Sequence, residues 1–119
     1  EKVMENNEYT EVNKIIKRVY KDNSQVNIIN YDDYVINLDK RTVELNKKNI
    51  KLTTLEFDLL VLLIKNKSKC FSREEILDKV WGSDYFGTDR VVDDLIRRLR
   101  KKLDKLNVEA VYGYGYRLS

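Results

Sequence analysis

Between Thr88 and Leu106 the apolar residues fall at Val92, Leu95, Ile96, Leu99, Leu103 and Leu106, the i, i+3, i+4, i+7 spacing of an amphipathic helix. At about 100° per residue these side chains form one stripe, so the segment has to lie on a core. Arg90, Arg97 and Lys101 fall opposite the stripe, and Arg98, Arg100 and Lys105 flank that outer face. Val108–Val111 follows, and then Tyr112-Gly113-Tyr114-Gly115-Tyr116-Arg117-Leu118, where two glycines permit a tight turn between two β-prone runs. The spacing therefore predicts a helix over 88–106 that runs into a terminal hairpin.

Charge sharpens this reading. The 119-residue chain has a net charge of +3, and residues 88–106 hold seven cations against four anions, so the whole excess sits in one helix. A localised cationic surface is what phosphate binding requires, because lysines and arginines displace counterions at a contact face. The competing reading is a solvated helix face. Cys70 is the single cysteine and histidine is absent, which removes disulfide frameworks, His/Cys zinc sites and histidine-based catalysis. No metal, cofactor or catalytic residue is expected, and Cys70 reads as a small buried hydrophobe. No apolar run approaches the roughly 20 residues of a membrane span, and the first residues lack the apolar core of a signal peptide, so a cytoplasmic location without a membrane partner is expected.

Upstream, residues 1–24 read as a helical tail and linker. A helix around Glu8–Tyr20 carries a stripe of Val12, Ile15, Ile16, Val19 and Tyr20, and Asp22-Asn23-Ser24 ends it. From 25 to 119 the pattern is that of one domain. Short β-like runs at Gln25–Ile29, Tyr34–Leu38, Arg41–Leu45 and Asn49–Leu52 predict a four-stranded antiparallel meander. Thr53-Thr54-Leu55-Glu56 and Ser72-Arg73-Glu74-Glu75 are capping boxes, so helices are expected to open at both. The first runs to about Lys65 as the central core helix. The second turns Ile76, Leu77, Val80 and Trp81 inward, with Cys70-Phe71 before it as an extended link. Gly82–Gly87 forms a loop carrying Tyr85 and Phe86. The order is an N-terminal four-stranded antiparallel sheet, three helices and a C-terminal β-hairpin: an α+β winged helix-turn-helix.

From about Gln25 to Ser119 the chain resembles the OmpR/PhoB-type winged-helix effector domain of two-component response regulators. The matching residues are Leu52-Thr53 with Glu56 and Leu59-Leu60; Ser72-Arg73-Glu74 with Leu77 and Val80-Trp81-Gly82; Arg90-Val91-Val92-Asp93 with Ile96 and Arg98-Leu99-Arg100-Lys101-Lys102-Leu103; and Gly113 with Gly115-Tyr116-Arg117. The resemblance implies sequence-specific binding of double-stranded DNA, transcription control within a phosphorelay, no enzymatic activity, and two copies in tandem on direct repeats. It also implies that residues 1–24, otherwise readable as a flexible extension, are the remnant of a receiver domain whose other parts are absent from this chain, either cut from a longer protein or naturally lacking. The alternative is a winged-helix protein-interaction module with little DNA affinity.

By the same resemblance, Arg98 is the base-reading residue, offering two donors to guanine O6 and N7, or else a partner to Asp94 at i−4. Asp94 either accepts from a cytosine amine or restrains Arg90, and Asp93 braces Arg97. Arg73, Trp81, Arg90, Arg97, Lys101 and Tyr116 are expected at the DNA backbone; Trp81 also packs inward, and Tyr116 alternatively covers the core beneath the hairpin. Arg100 could bridge to an acidic neighbour. Tyr112, Gly113, Tyr114 and Gly115 form the wing. Tyr85 and Phe86 either meet RNA polymerase or plug their own loop. The chain departs from the family pattern at Asp94 and Leu95, where many members carry an apolar residue and then histidine. It departs also at Tyr112, commonly arginine, and at Ala110, commonly threonine, which implies redistributed DNA contacts.

Overall fold

The computed structural model describes residues 27–119. The helix expected over Glu8–Tyr20, and residues 1–24 as a whole, lie outside the described residues. Two compact units are distinguished. In the smaller, the Leu38 N–H donates to Asn27 O at 2.8 Å, Asn27 Nδ2 to Asp39 Oδ1 at 3.0 Å and the Lys40 N–H to Asn37 Oδ1 at 2.9 Å. The larger holds residues 30–36 and 41–119.

Strands β1 (Ile28–Tyr31), β2 (Tyr34–Asn37), β3 (Thr42–Leu45) and β4 (Lys48–Ile50) form an antiparallel sheet in sequential order. The first strand runs to Tyr31, two residues past the expected Ile29, with Gln25 and Val26 of the expected run outside the described residues, and the turn tightens to Asp32-Asp33. β3 and β4 pair with Leu45 opposite Lys48, and the intervening Asn46 and Lys47 both have positive φ (52° and 67°). That is the type I′ combination, the hairpin turn whose twist matches the strands.

Helix α1 (Thr54–Ile64) opens at the Thr53 capping box: Thr53 Oγ1 accepts from the Glu56 N–H at 3.2 Å, and Glu56 Oε1 accepts from the Thr53 N–H at 2.9 Å. Phe57, Leu59, Leu60, Leu63 and Ile64 bury it as the central core helix. Helix α2 (Arg73–Trp81) opens at the second box, with Ser72 and Glu75 bonded reciprocally at 2.8 and 3.0 Å. Of its four expected inward residues only Ile76 is fully buried. Leu77, Val80 and Trp81 are half-buried, because this helix lies at the margin of the core and covers the centre of its stripe more fully than the flanks.

Helix α3 (Arg90–Lys102) buries Val92, Leu95, Ile96 and Leu99. It is shorter than the periodicity predicts. In a continued helix the Lys105 N–H would bond the carbonyl of residue 101; here it donates to the Tyr34 hydroxyl at 3.0 Å. Leu103 and Leu106 stay buried outside the helix, so the apolar spacing persists after the helix has ended.

Cys70–Ser72, of which Cys70-Phe71 is expected only as an extended link, is a strand, β5. With β6 (Val108–Val111) and β7 (Gly115–Leu118) it makes a three-stranded antiparallel sheet in the order β5-β7-β6, with Phe71 opposite Tyr116 and Ala110 on the other side of Tyr116. The two wing glycines have different tasks. Gly113 has φ +74° in a turn closed by the Tyr114 N–H on Val111 O at 2.9 Å. At Gly115 a Cβ would stand 1.9 Å from the Phe71 carbonyl oxygen, so glycine is required there by close strand approach rather than by turn geometry.

Candidate nucleic-acid interface

Helix α3 presents its charged side outward because its other side is wholly buried: Val92, Leu95 and Leu99 are 0% exposed. The cations of 88–106 then divide into two groups. Arg100, Lys102 and Lys105 turn back onto the domain. Arg100 Nη2 donates to Val108 O at 2.6 Å, a carbonyl rather than the acidic neighbour considered for it, and its guanidinium lies 5.9 Å from the Tyr116 ring. Lys102 Nζ reaches Glu56 Oε1 at 2.7 Å, and Lys105 Nζ stands 3.8 Å from Asp33. Arg90, Arg97, Arg98 and Lys101 remain on the exposed face. Arg90 and Lys101 make no ion pair among the described residues.

The two aspartates of α3 are placed otherwise than expected. Asp93 does not brace Arg97; its Oδ1 accepts from Arg73 Nε at 2.8 Å and from the Tyr116 hydroxyl at 2.6 Å. One carboxylate thus joins α2, α3 and the wing strand β7. Residues 93 and 97 are neighbours one turn apart on α3, but the Asp93 oxygen is taken by Arg73 and Tyr116, and Arg97 pairs with Asp94 instead. Burial pushes the Asp93 carboxyl up, but hydrogen bonds from Tyr116 and Arg73, with the Arg73 and Arg90 charges, hold it below the usual carboxylate range. Burial and the same carboxylate push the Tyr116 phenol up. Tyr116 accordingly covers the core beneath the hairpin, 8% exposed with its hydroxyl committed to Asp93, rather than standing at the outer surface where a backbone contact would need it.

Asp94 does not restrain Arg90. Its Oδ1 accepts from Arg97 at 2.7 Å and its Oδ2 lies 3.1 Å from Arg98, which holds the carboxyl below its usual range. The i−4 pairing considered for Arg98 is therefore present in the structure.

Around this face, the Trp81 ring lies 6.1 Å from Tyr85 at a 40° tilt, and its indole N–H has no partner among the described residues. The loop aromatics separate: Tyr85 lies half-buried against Gly87, and Phe86 stands 95% exposed. At the wing tip Tyr112 is fully exposed and Tyr114 about half.

Sequence reasoning identified Glu56 only as a cap. It is also a buried carboxylate, 1% exposed, that anchors the C-terminal end of α3 through Lys102. Burial pushes its carboxyl up, but the Lys102 ammonium and the Thr53 N–H outweigh that and hold it low. The available signal was an acidic residue with too many apolar neighbours for a solvated one, at Leu55, Phe57, Leu59 and Leu60. No group of acidic, cysteine or histidine side chains among the described residues could hold a metal ion, and no helix there is long and apolar enough to cross a membrane.

A family model described as "Transcriptional regulatory protein, C terminal" matches residues 47–118. Transcriptional regulatory protein CssR of Bacillus subtilis (strain 168) is 65% identical over 66 residues, 56% of this chain and 29% of that protein. Heme response regulator HssR of Staphylococcus epidermidis is 48% identical over 67 residues, covering 53% of this chain and 30% of the relative. The chain spans about three tenths of the length of these curated relatives. Among solved structures, the DNA-binding domain of B. subtilis CssR matches with a TM-score of 0.70 at 56% identity, covering 72% of this chain and 99% of that one. The Klebsiella pneumoniae RstA DNA-binding domain, crystallised in complex with the RstA box, matches with a TM-score of 0.70 at 32% identity, over 78% and 97% of the two chains.

Proposed function

This chain belongs to the OmpR/PhoB-type family of transcriptional-regulator C-terminal effector domains, and from that premise we propose that residues 25–119 bind double-stranded DNA sequence-specifically and control transcription. The observation that carries the reading is the exposed row of Arg90, Arg97, Arg98 and Lys101 on a helix whose opposite side is entirely buried. Such a helix fits the major groove, and its cations meet the phosphates on either side. Arg98 and Asp94 face the base edges. Arg90, Arg97 and Lys101 meet the backbone, with Arg73 and the Trp81 indole N–H at its margin. The wing tip, Tyr112-Gly113-Tyr114, lies near the minor groove and offers aromatic faces in place of a cation. Phe86 is the side chain we assign to RNA polymerase, because a large exposed aromatic is a suitable interface anchor. In a longer chain, a receiver domain would precede this one and two copies would sit in tandem on direct repeats.

Selecting bound duplexes from a random pool, then measuring affinities at stated salt, tests the proposal. Arg98→Ala should lose about 1–3 kcal/mol of discrimination at one base pair, and Lys101→Ala should weaken all sequences alike. Equal losses on every sequence for both variants would refute this division of labour.

A further inference from the structure

We propose that Asp94 sets the selectivity of the DNA-facing surface, holding Arg97 and Arg98 back from indiscriminate phosphate contacts and rejecting base edges that cannot donate to its carboxylate. The inference rests on the DNA-binding reading above. Asp94 Oδ1 accepts from Arg97 at 2.7 Å and its Oδ2 lies 3.1 Å from Arg98, with the three side chains 50%, 64% and 44% exposed. Helix-end requirements do not explain this carboxylate. Asp89 occupies the N-cap position, Asp93 is the acidic residue of the first turn, and Asp93 already serves Arg73 and Tyr116. Ion pairs this exposed contribute little to folding. The main effect of Asp94 therefore falls on what the two arginines can do.

Two arginines sharing one carboxylate present one net positive charge instead of two. On a random duplex, each phosphate contact made by Arg97 or Arg98 competes with Asp94. On a base edge the carboxylate is an acceptor only, so guanine O6 and N7 and thymine O4 repel it, whereas the cytosine N4 amine and the adenine N6 amine satisfy it. A sequence that places such an amine beside the guanine taken by Arg98 resolves both demands at once. Other sequences leave a desolvated charge, which is discrimination by repulsion.

The test uses the 119-residue chain, a duplex selected by it from a random pool, and a random-sequence duplex of equal length, each titrated with salt. Asp94→Asn should bind the random duplex more tightly. Each added phosphate contact steepens the log–log salt slope by about 0.9, which is worth about eightfold at 0.1 M salt. The selected-to-random ratio should fall by about tenfold, and reselection with the variant should lose the amine-bearing base. Asp94→Glu, which keeps the charge, should retain most of the ratio. Should Asp94→Asn unfold, Asp94→Ala and Asp94→Glu carry the same comparison. A shifted melting temperature with unchanged ratio and slope would mark Asp94 as merely structural and overturn the proposal. A wild-type chain that binds no duplex overturns instead the DNA-binding reading beneath it.

Discussion

Replacing Tyr116 by phenylalanine removes one oxygen and leaves the buried ring in place, so it isolates the bond that ties the wing to α3. That bond is the 2.6 Å donation to Asp93 Oδ1. A hydrogen bond to a charged acceptor contributes about 1.5–3 kcal/mol. The Asp93 side chain is 40% exposed, so water competes for it and the expected loss falls to about 1–1.5 kcal/mol. For a folded body of this size, 1 kcal/mol corresponds to about 4–8 °C, and Tyr116→Phe should melt about 6 °C lower. A double-mutant cycle with Asp93→Asn should show a coupling of about 1 kcal/mol. The pH dependence follows from the depressed Asp93 pKa. A carboxyl held below its ordinary 3.8 stabilises the fold above that value and loses the contribution as pH falls through the folded-state pKa. The difference between wild type and Tyr116→Phe should therefore be constant near neutrality and shrink in acid. Thermal and urea unfolding at several pH values measure both. A coupling within the roughly 0.3–0.5 kcal/mol of ordinary additivity, or a penalty unchanged in acid, would refute the reasoning.

Two further outcomes test the supporting frame. Gly115→Ala would force a Cβ to within 1.9 Å of the Phe71 carbonyl oxygen and 2.8 Å of Ser72 Cα, both backbone atoms; it should lower the urea midpoint by the equivalent of about 3 kcal/mol, near the upper end for overpacking. Glu56→Gln keeps an acceptor for the Thr53 N–H but loses the charge facing Lys102, and because that lysine is 38% exposed the cost should be about 1–2 kcal/mol at neutral pH. Glu56 is held below its ordinary 4.5, so its contribution is complete above that value and disappears as pH falls through the folded-state pKa. Unfolding curves of the two proteins should accordingly converge in acid, and parallel curves would count against the pairing.

Much of the fold was legible in the chain. Both capping boxes form as read, because Thr53 with Glu56 and Ser72 with Glu75 satisfy each other within one turn and need nothing from elsewhere. The apolar stripe of α3 was equally local. Its end was not: Leu103 and Leu106 continue the spacing past Lys102, where the helix ends, and the Lys105 N–H goes to the Tyr34 hydroxyl, 71 residues away, instead of to a helix carbonyl. The strand at Cys70–Ser72 was missed for a similar reason, since three residues carry too little pattern and their partners lie at Gly115–Arg117. At the site, the outward placement of Arg90, Arg97, Arg98 and Lys101 followed from the stripe, whereas the roles of Arg100 and Lys102 did not.

Periodicity and capping chemistry, both properties of neighbouring residues, determined by themselves where α1 and α2 begin, which side of α3 is buried and that a cationic face looks outward. Only the tertiary structure decided how the charges pair. Arg73, Asp93 and Tyr116 converge from three elements, Lys102 meets Glu56 across 46 positions, and Asp94 is left to Arg97 and Arg98. A long charged side chain can reach several partners at little difference in energy, so its choice is made by whichever element the fold brings alongside, and that lies beyond the reach of any local pattern.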